Sequence, residues 1–234
     1  MKIGILLTDH VIEELLDKHG DQDSFYFNLL PEIDKNVTLE IFDVVRGEYP
    51  DDLHECDGYI ITGSKVSAYD DIGWVKELED FIRLLHKEKV ALVGVCFGHQ
   101  LIAQALNGKV KKVGWTVGTH NYNFIENRNK KFKLPDSLRL IHSHQDQVVQ
   151  LPDNAVLIAS TETVPNAFFL VDNHIMSIQG HPEFTPEYAL DVAQTRKDIL
   201  GKEKFNYAKS TLKKELSDNK EGANVWLSFF RSNF

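Results

Sequence analysis

The chain has 234 residues, of which 42% are hydrophobic and 26% are charged, and its formal net charge is -9. This length allows one sizeable core and predicts a single domain over residues 1–234, since no low-complexity or Pro/Gly/Ser-rich segment divides the chain. The negative charge disfavours nucleic acid or an anionic membrane surface as a partner, and the two cysteines are too few for a disulfide framework, which favours a reducing, cytoplasmic location.

The first half of the chain predicts alternating strands and helices. Continuous apolar runs that are typical of buried strands lie at residues 3–7, 37–45, 58–62 and 90–95. Helices are predicted at residues 24–30 and 73–88, and the second carries an apolar stripe at intervals of three and four residues from Trp74 to Leu85. This alternation indicates an α/β fold with a mostly parallel central sheet and helices on both faces.

The strand predicted at residues 90–95 leads into the segment Gly94-Val95-Cys96-Phe97-Gly98-His99-Gln100. A cysteine with a glycine two positions before and two positions after it, between a strand and a helix, is typical of a nucleophile elbow. The glycines let backbone segments approach closely, and the following helix directs its free amides at Cys96 and stabilises a thiolate. Cys96 is therefore a candidate nucleophile, whereas Cys56 is expected to be a small buried side chain.

After Gly108 the chain changes to shorter β segments, and from Pro186 onward the pattern is helical. The β segments are predicted at residues 109–117, 138–142, 156–160 and 167–179. The last is broken by Asp172-Asn173, which predicts a hairpin turn. A closing helix places its bulky residues on one face, at Val225, Trp226, Phe229 and Phe230. We expect this face to dock on the core, so that a small antiparallel β portion and a helical C-terminal tail complete the fold.

A nucleophilic cysteine needs a base, and the base needs an orienting group. The triplet His181-Pro182-Glu183 follows an apolar run at residues 175–178, so it is expected at the end of a strand. Side chains two positions apart in an extended chain point the same way, and Pro182 disfavours a helical conformation at His181. His181 and Glu183 are therefore the candidate base and its orienting carboxylate.

An oxyanion hole requires two backbone amides beside the reacting carbonyl oxygen. Phe97, next to the nucleophile, is expected to supply one amide. Gly63, directly after the strand predicted at residues 58–62, is expected to supply the second if that strand lies parallel to the 90–95 strand. Crevices outside the carboxyl ends of parallel strands are where such folds bind ligands.

Together these motifs resemble those of class I glutamine amidotransferases, in which a G-x-C-x-G-x-Q elbow and a late H-P-E form a Cys-His-Glu triad. The matching residues are Gly94, Cys96, Gly98, Gln100, His181 and Glu183. The resemblance extends from residue 3 to about residue 185 and implies the flavodoxin-like fold of that family. It also implies that Gln100 contacts the substrate and that Ser143, His144, Gln145 and Asp146 form a loop that helps to hold glutamine.

A metal site is an alternative interpretation of one segment, because His142, His144 and Asp146 alternate in a way that puts them on one face of an extended chain. No cysteine pair and no helical pair of histidines accompanies them. We therefore favour the substrate-binding role of Ser143, His144 and Gln145, and we expect the site to need no metal and no cofactor.

The chain departs from the large biosynthetic members of the family, since its 234 residues show no fused synthetase domain. Its predicted oxyanion loop reads Thr62-Gly63-Ser64-Lys65 rather than a double glycine. The chain is more similar to stand-alone amidotransferase-like proteins, which resemble γ-glutamyl peptidases and the amidotransferase domain of GMP synthase.

The resemblance implies that Cys96 attacks the γ-carbonyl of glutamine, forms a γ-glutamyl thioester and releases ammonia and glutamate. One alternative is a γ-glutamyl peptidase that acts on γ-glutamyl amides or peptides, and a second is a non-catalytic glutamine-binding module. Both enzymatic hypotheses involve a small-molecule substrate, and the first also allows a synthetase partner that accepts the ammonia. A lost triad residue would favour the binding module, and none is lost here.

Overall fold

A computed structural model of the chain describes residues 1–125, 131–213 and 216–233. The strands are β1 Lys2–Leu7, β2 Thr38–Asp43, β3 Gly58–Ile61, β4 Ala91–Val95, β5 Lys109–Asn121, β6 Asn123–Phe124, β7 Arg139–Gln150, β8 Ala155–Ser160, β9 Phe168–Val171 and β10 Ile175–Ile178. The helices are α1 Glu13–His19, α2 Gln22–Ile33, α3 Gly73–Lys87, α4 Phe97–Ala105, α5 Pro186–Thr195, α6 Lys197–Thr211 and α7 Asn219–Arg231. A short 3-10 helix, Val44–Arg46, follows β2.

The main sheet has eight strands in the order β2-β1-β3-β4-β10-β9-β8-β6. The strands from β2 to β10 pair in parallel, and those from β10 to β6 pair antiparallel. Strands β9 and β10 form the predicted hairpin, whose turn residues Asp172 and Asn173 both have a positive φ. The mostly parallel sheet and its antiparallel extension are confirmed.

Each face of the main sheet carries its own hydrophobic cluster, because successive residues of a strand point to opposite sides. On β3, Ile60 packs in the cluster beneath α2 and α7, whereas Tyr59 and Ile61 pack in the cluster beneath α3 and α4. The bulky face of α7 is buried, and Trp226 stacks on Tyr26 of α2 with ring centroids 6.1 Å apart. The expected docking of the C-terminal helix on the core is therefore confirmed.

Two strands lie outside the main sheet and differ from expectation. Strands β5 and β7 pair antiparallel as a separate ribbon, with register shifts that mark bulges, and both are longer than the predicted segments. Residues 143–146 consequently lie within β7, so the expected substrate-holding loop is a strand. The helix α1 was also not predicted, since none of its residues is buried and it carries little apolar signal.

Within the described residues, no helix combines the length and the apolar character that crossing a membrane would require.

Candidate active site

The sharp turn after β4 holds Cys96 in a strained conformation. Its φ of 52° and ψ of -99° lie outside the regions that L-residues favour, and α4 begins at the next residue. A strained conformation persists only where the surrounding structure holds it in place, and such residues cluster at functional sites. The amide of Cys96 donates to the Ile178 carbonyl oxygen at 3.0 Å, which ties the turn to the end of β10.

The two glycines of the turn allow β3, β4 and α4 to approach one another. A Cβ at Gly94 would lie 2.7 Å from the backbone of Gly98, and a Cβ at Gly98 would lie 2.5 Å from the carbonyl oxygen of Ile61. Backbone atoms at these distances cannot move aside as a flexible side chain can. Both glycines are therefore required by packing, as the motif predicts.

His181 follows β10 and lies next to Cys96 at the carboxyl ends of the central strands. Because β4 pairs with β10 and β3, the carboxyl ends of all three strands meet here. Nδ1 of His181 lies 2.7 Å from Oε1 of Glu183, and His181 and Cys96 both lie against Gly63. The ring of His181 also stacks on Phe184, with centroids 3.8 Å apart. The sequence-predicted nucleophile, base and orienting carboxylate are thus brought together.

The electrostatics of this cluster favour a protonated imidazole. Burial alone would lower the pKa of His181, but the charges of Glu183 and the Cys96 thiolate, together with the hydrogen bond to Glu183, raise it to about 10. Among the described residues, Oε2 of Glu183 has no hydrogen-bond partner. The buried hydroxyl of Tyr26 lies near this carboxylate, and burial followed by the charge of Glu183 raises the pKa of Tyr26 well above its usual value. Tyr26 therefore remains a neutral phenol beside Glu183.

Gly63 and Phe97 flank the nucleophile from two elements. A Cβ at Gly63 would lie 3.0 Å from Cε1 of His181 and 3.7 Å from Cβ of Cys96, so Gly63 sits directly against both. The carbonyl oxygen of Gly63 accepts hydrogen bonds from Thr8 and Gln22, which fixes the peptide that carries it. The amide of Phe97 is the first of α4 and thus one of the helix amides without an intrahelical partner. Both positions suit the predicted oxyanion role.

A cleft opens beside Cys96, and the predicted substrate-binding residues Gln100, Ser143, His144 and Gln145 line it. The side chain of Gln100 is held by its Nε2, which donates to the backbone carbonyl oxygen of Asp146 at 2.8 Å and to Oε1 of Gln179 at 3.2 Å. The parallel sheet supplies one wall of the cleft, and the ribbon strand β7 supplies the other.

The alternative metal site at His142, His144 and Asp146 does not match the contacts of these side chains. Nδ1 of His142 lies 3.0 Å from Nε2 of His144, whose Nδ1 lies 3.0 Å from the carbonyl oxygen of Asp146. The carboxylate of Asp146 accepts from Ser67 at 2.6 Å and from Tyr69 at 3.0 Å. Burial lowers the pKa of His144 to about 3, so its imidazole is neutral, and both of its ring nitrogens are already engaged, one by the Asp146 carbonyl oxygen and one by His142. The segment is a hydrogen-bonded wall that joins β7 to the loop after β3.

Val66, Trp115 and Arg196 line the cleft but were not predicted from the sequence, and the last two contact each other. Trp115 lies on β5, and Arg196 lies between α5 and α6. Nη1 of Arg196 donates to Oγ of Ser143 at 3.0 Å, and its guanidinium carbon lies 5.2 Å from the centre of the Trp115 ring. Neither residue belongs to a motif, because each reaches the cleft only through the packing of the helical tail on the ribbon.

Comparison with known proteins identifies the family of the chain. The family described as "Glutamine amidotransferase class-I" matches residues 22–191. Gamma-glutamyl peptidase 4 from Arabidopsis thaliana is 32% identical over 225 residues, which cover 91% of this chain and 88% of the relative. The glutamine-hydrolyzing GMP synthase of Sulfolobus acidocaldarius has a subunit that is 29% identical over 160 residues, which cover 68% of this chain and 84% of that relative.

The same fold occurs in a solved structure, a glutamine amidotransferase from Thermotoga maritima. Its TM-score is 0.73 at 21% identity, with 99% of this chain and 98% of the other covered. The family match spans β3, β4, β7 and β10, the strands that carry the predicted residues of the cleft. The chain therefore belongs to the class I glutamine amidotransferase family.

Proposed function

We propose that this protein is a cysteine hydrolase that cleaves γ-glutamyl amide bonds through a γ-glutamyl thioester on Cys96. The observation that carries the proposal is the buried cluster of Cys96, His181 and Glu183, in which Nδ1 of His181 lies 2.7 Å from Glu183 and both His181 and Cys96 lie against Gly63. A nucleophile beside a base that is hydrogen-bonded to an orienting group is the arrangement that thiol hydrolysis requires. All three residues are present, which disfavours the non-catalytic binding module.

The chemistry proceeds in two steps. The Cys96 thiolate attacks the γ-carbonyl carbon, and the amides of Gly63 and Phe97 stabilise the resulting oxyanion. The carbon–nitrogen bond then breaks as Nε2 of His181 gives its proton to the departing amine. Water, deprotonated by the same nitrogen, attacks the thioester, and glutamate leaves as the carbon–sulfur bond breaks. Glu183 orients the imidazole and stabilises its cationic form throughout.

The departing amine distinguishes two candidate substrates. The match to the γ-glutamyl peptidase covers most of both chains, and this favours γ-glutamyl peptides, whose departing amine is an amino acid or peptide. The match to the glutamine-hydrolyzing GMP synthase supports glutamine, whose departing amine is ammonia, and a synthetase partner that would accept it. Both substrates lead to the same thioester on Cys96.

Mass spectrometry after brief exposure of the protein to each substrate tests the proposal. We expect a mass increase of one γ-glutamyl group on the peptide that contains Cys96, and its absence from the Cys96→Ala variant. Cys56→Ala is the matched control, because Cys56 is also buried but lies away from the cleft, and it should retain the adduct. No adduct with either glutamine or a γ-glutamyl dipeptide would overturn the proposed function.

The two substrates are then separated by the rates of product release. Readier cleavage of γ-glutamyl dipeptides than of glutamine identifies a peptidase. Activity on glutamine alone, stimulated by a second protein, identifies a glutaminase that supplies a synthetase.

A further inference from the structure

Arg196 places a cation at the mouth of the proposed active site. It follows α5 and precedes α6, and its half-buried side chain lines the cleft together with Cys96 and Gln100. Ser143 and Trp115 fix the guanidinium from two sides, one through a hydrogen bond of 3.0 Å and the other through the face of its ring. The cation is thus held in one orientation before any substrate arrives.

No carboxylate of the described residues pairs directly with Arg196, although the more distant charge of Asp9 acts on its guanidinium. Among the described residues, no carboxylate oxygen lies within 4.0 Å of its guanidinium nitrogens, and the one side-chain acceptor bonded to it is Ser143, a neutral hydroxyl. Lys65, on the opposite side of the same cleft, differs in this respect, since its ammonium lies 2.5 Å from Asp9.

A partly desolvated guanidinium without an anion is costly, and its remaining donors are available to a ligand. Burial lowers the pKa of Arg196, yet a guanidinium stays protonated in proteins. Its planar donors match the two oxygens of a carboxylate, which makes arginine the usual residue for recognising that group. The structure therefore offers an oriented site for one carboxylate beside Cys96.

We propose that Arg196 binds a carboxylate of the substrate and thereby selects γ-glutamyl compounds that carry one at the matching position. This inference rests on the proposed γ-glutamyl hydrolysis. The carboxylate has two sources in such substrates. One is the α-carboxylate of the γ-glutamyl group, and the other is the terminal carboxylate of the departing amino acid.

Kinetics with two matched substrates separate the sources. γ-Glutamyl-glycine carries both carboxylates, whereas γ-glutamyl-glycinamide carries only the α-carboxylate. Arg196→Met should raise KM for γ-glutamyl-glycine roughly 10- to 100-fold with little change in kcat, because a hydrogen-bonded charge pair is lost. If Arg196→Met raises the KM for γ-glutamyl-glycinamide equally, Arg196 binds the α-carboxylate. If the KM for γ-glutamyl-glycinamide is unchanged, Arg196 binds the terminal carboxylate. Arg196→Lys, which keeps the charge without the planar donors, should recover part of the loss.

Arg83→Met is the matched control, since Arg83 pairs with Asp80 on α3 away from the cleft and its loss should leave both KM values unchanged. Binding of γ-glutamyl-glycine to Cys96→Ala protein, measured by calorimetry with and without Arg196→Met, gives a readout that does not depend on turnover. If a folded Arg196→Met variant shows an unchanged KM and unchanged binding, the inference about Arg196 is overturned. The proposed function still stands in that case, provided that the Cys96 adduct forms. Loss of the Cys96 adduct with intact, Arg196-dependent binding would overturn the proposed function alone.

Discussion

Glu183 and His181 form an ion pair with a separation of 2.7 Å, and both side chains are at most 3% exposed. Stacking of the imidazole on Phe184 limits its rotation, and the hydrogen bond of Nδ1 to Glu183 leaves Nε2 as the ring nitrogen available to the nucleophile. A buried carboxylate in this position fixes the tautomer of the imidazole and stabilises its cation.

Glu183→Gln should lower kcat by about two to four orders of magnitude, because the amide cannot stabilise the imidazolium and favours a wrong tautomer. Steady-state hydrolysis of a γ-glutamyl dipeptide measures the effect. Glu187→Gln is the matched control, as Glu187 is exposed on α5 and pairs with Lys18. Comparable kcat values for the two variants would contradict the role of Glu183.

Stability should also depend on pH through His181. Its pKa in the folded protein is about 10, above the ordinary value of 6.5, because Glu183 and the Cys96 thiolate outweigh the effect of burial. The stabilisation is therefore fully present below pH 6.5 and is lost as the pH rises through about 10. Urea unfolding across this range should show a falling free energy of unfolding. The decline should be smaller in Glu183→Gln, and equal slopes in both proteins would refute the assignment.

Gly98→Ala should destabilise the fold by about 1–3 kcal/mol, because the new Cβ would lie 2.5 Å from the carbonyl oxygen of Ile61. Thermal unfolding followed by circular dichroism measures the change. Gly73→Ala is the matched control, since its Cβ would meet no atom within 4 Å at the start of α3 and its φ is not positive. Equal melting temperatures for the two variants would contradict the close contact between position 98 and the Ile61 carbonyl oxygen.

Asp146→Ala should loosen the wall of the cleft. It removes the acceptor of the hydrogen bonds from Ser67 at 2.6 Å and Tyr69 at 3.0 Å, a loss of roughly 1–3 kcal/mol. Amide hydrogen exchange should increase in residues 64–71, and the KM for a γ-glutamyl dipeptide should rise. Asp153→Ala, which removes a hydrogen bond from Asn107 at an exposed position, is the control. Unaltered exchange in that loop would mean that Asp146 does not fasten it.

The main sheet and the turn at Cys96 could be predicted from the sequence because those signals are local. Apolar runs mark buried strands, and the spacing of Gly94 and Gly98 reflects close backbone contacts within a few residues of the cysteine. The triplet from His181 to Glu183 could be predicted for the same reason, since its geometry depends on an extended backbone and one proline.

The ribbon and the tail could not be predicted in this way. In β7, the half-buried Ser143 and Gln145 alternate with the buried His142, His144 and Asp146 as in a strand, but all five residues are polar, so no hydrophobic alternation marks the strand. Arg196 and Trp115 come together only because α6 packs on β5, a contact between distant segments with no local signal. Long-range packing of polar residues leaves little trace in hydrophobic periodicity.

The left-handed φ of Cys96 makes the nucleophile a thermodynamic burden on the fold. Conformations of this kind cost about 1–3 kcal/mol, a sizeable fraction of the total stability of a domain. A glycine would adopt the same backbone with less strain, so position 96 is one where the most stable residue and the reactive residue differ. Engineering this protein for thermostability should therefore leave the turn unaltered and seek its gains on the outer helices.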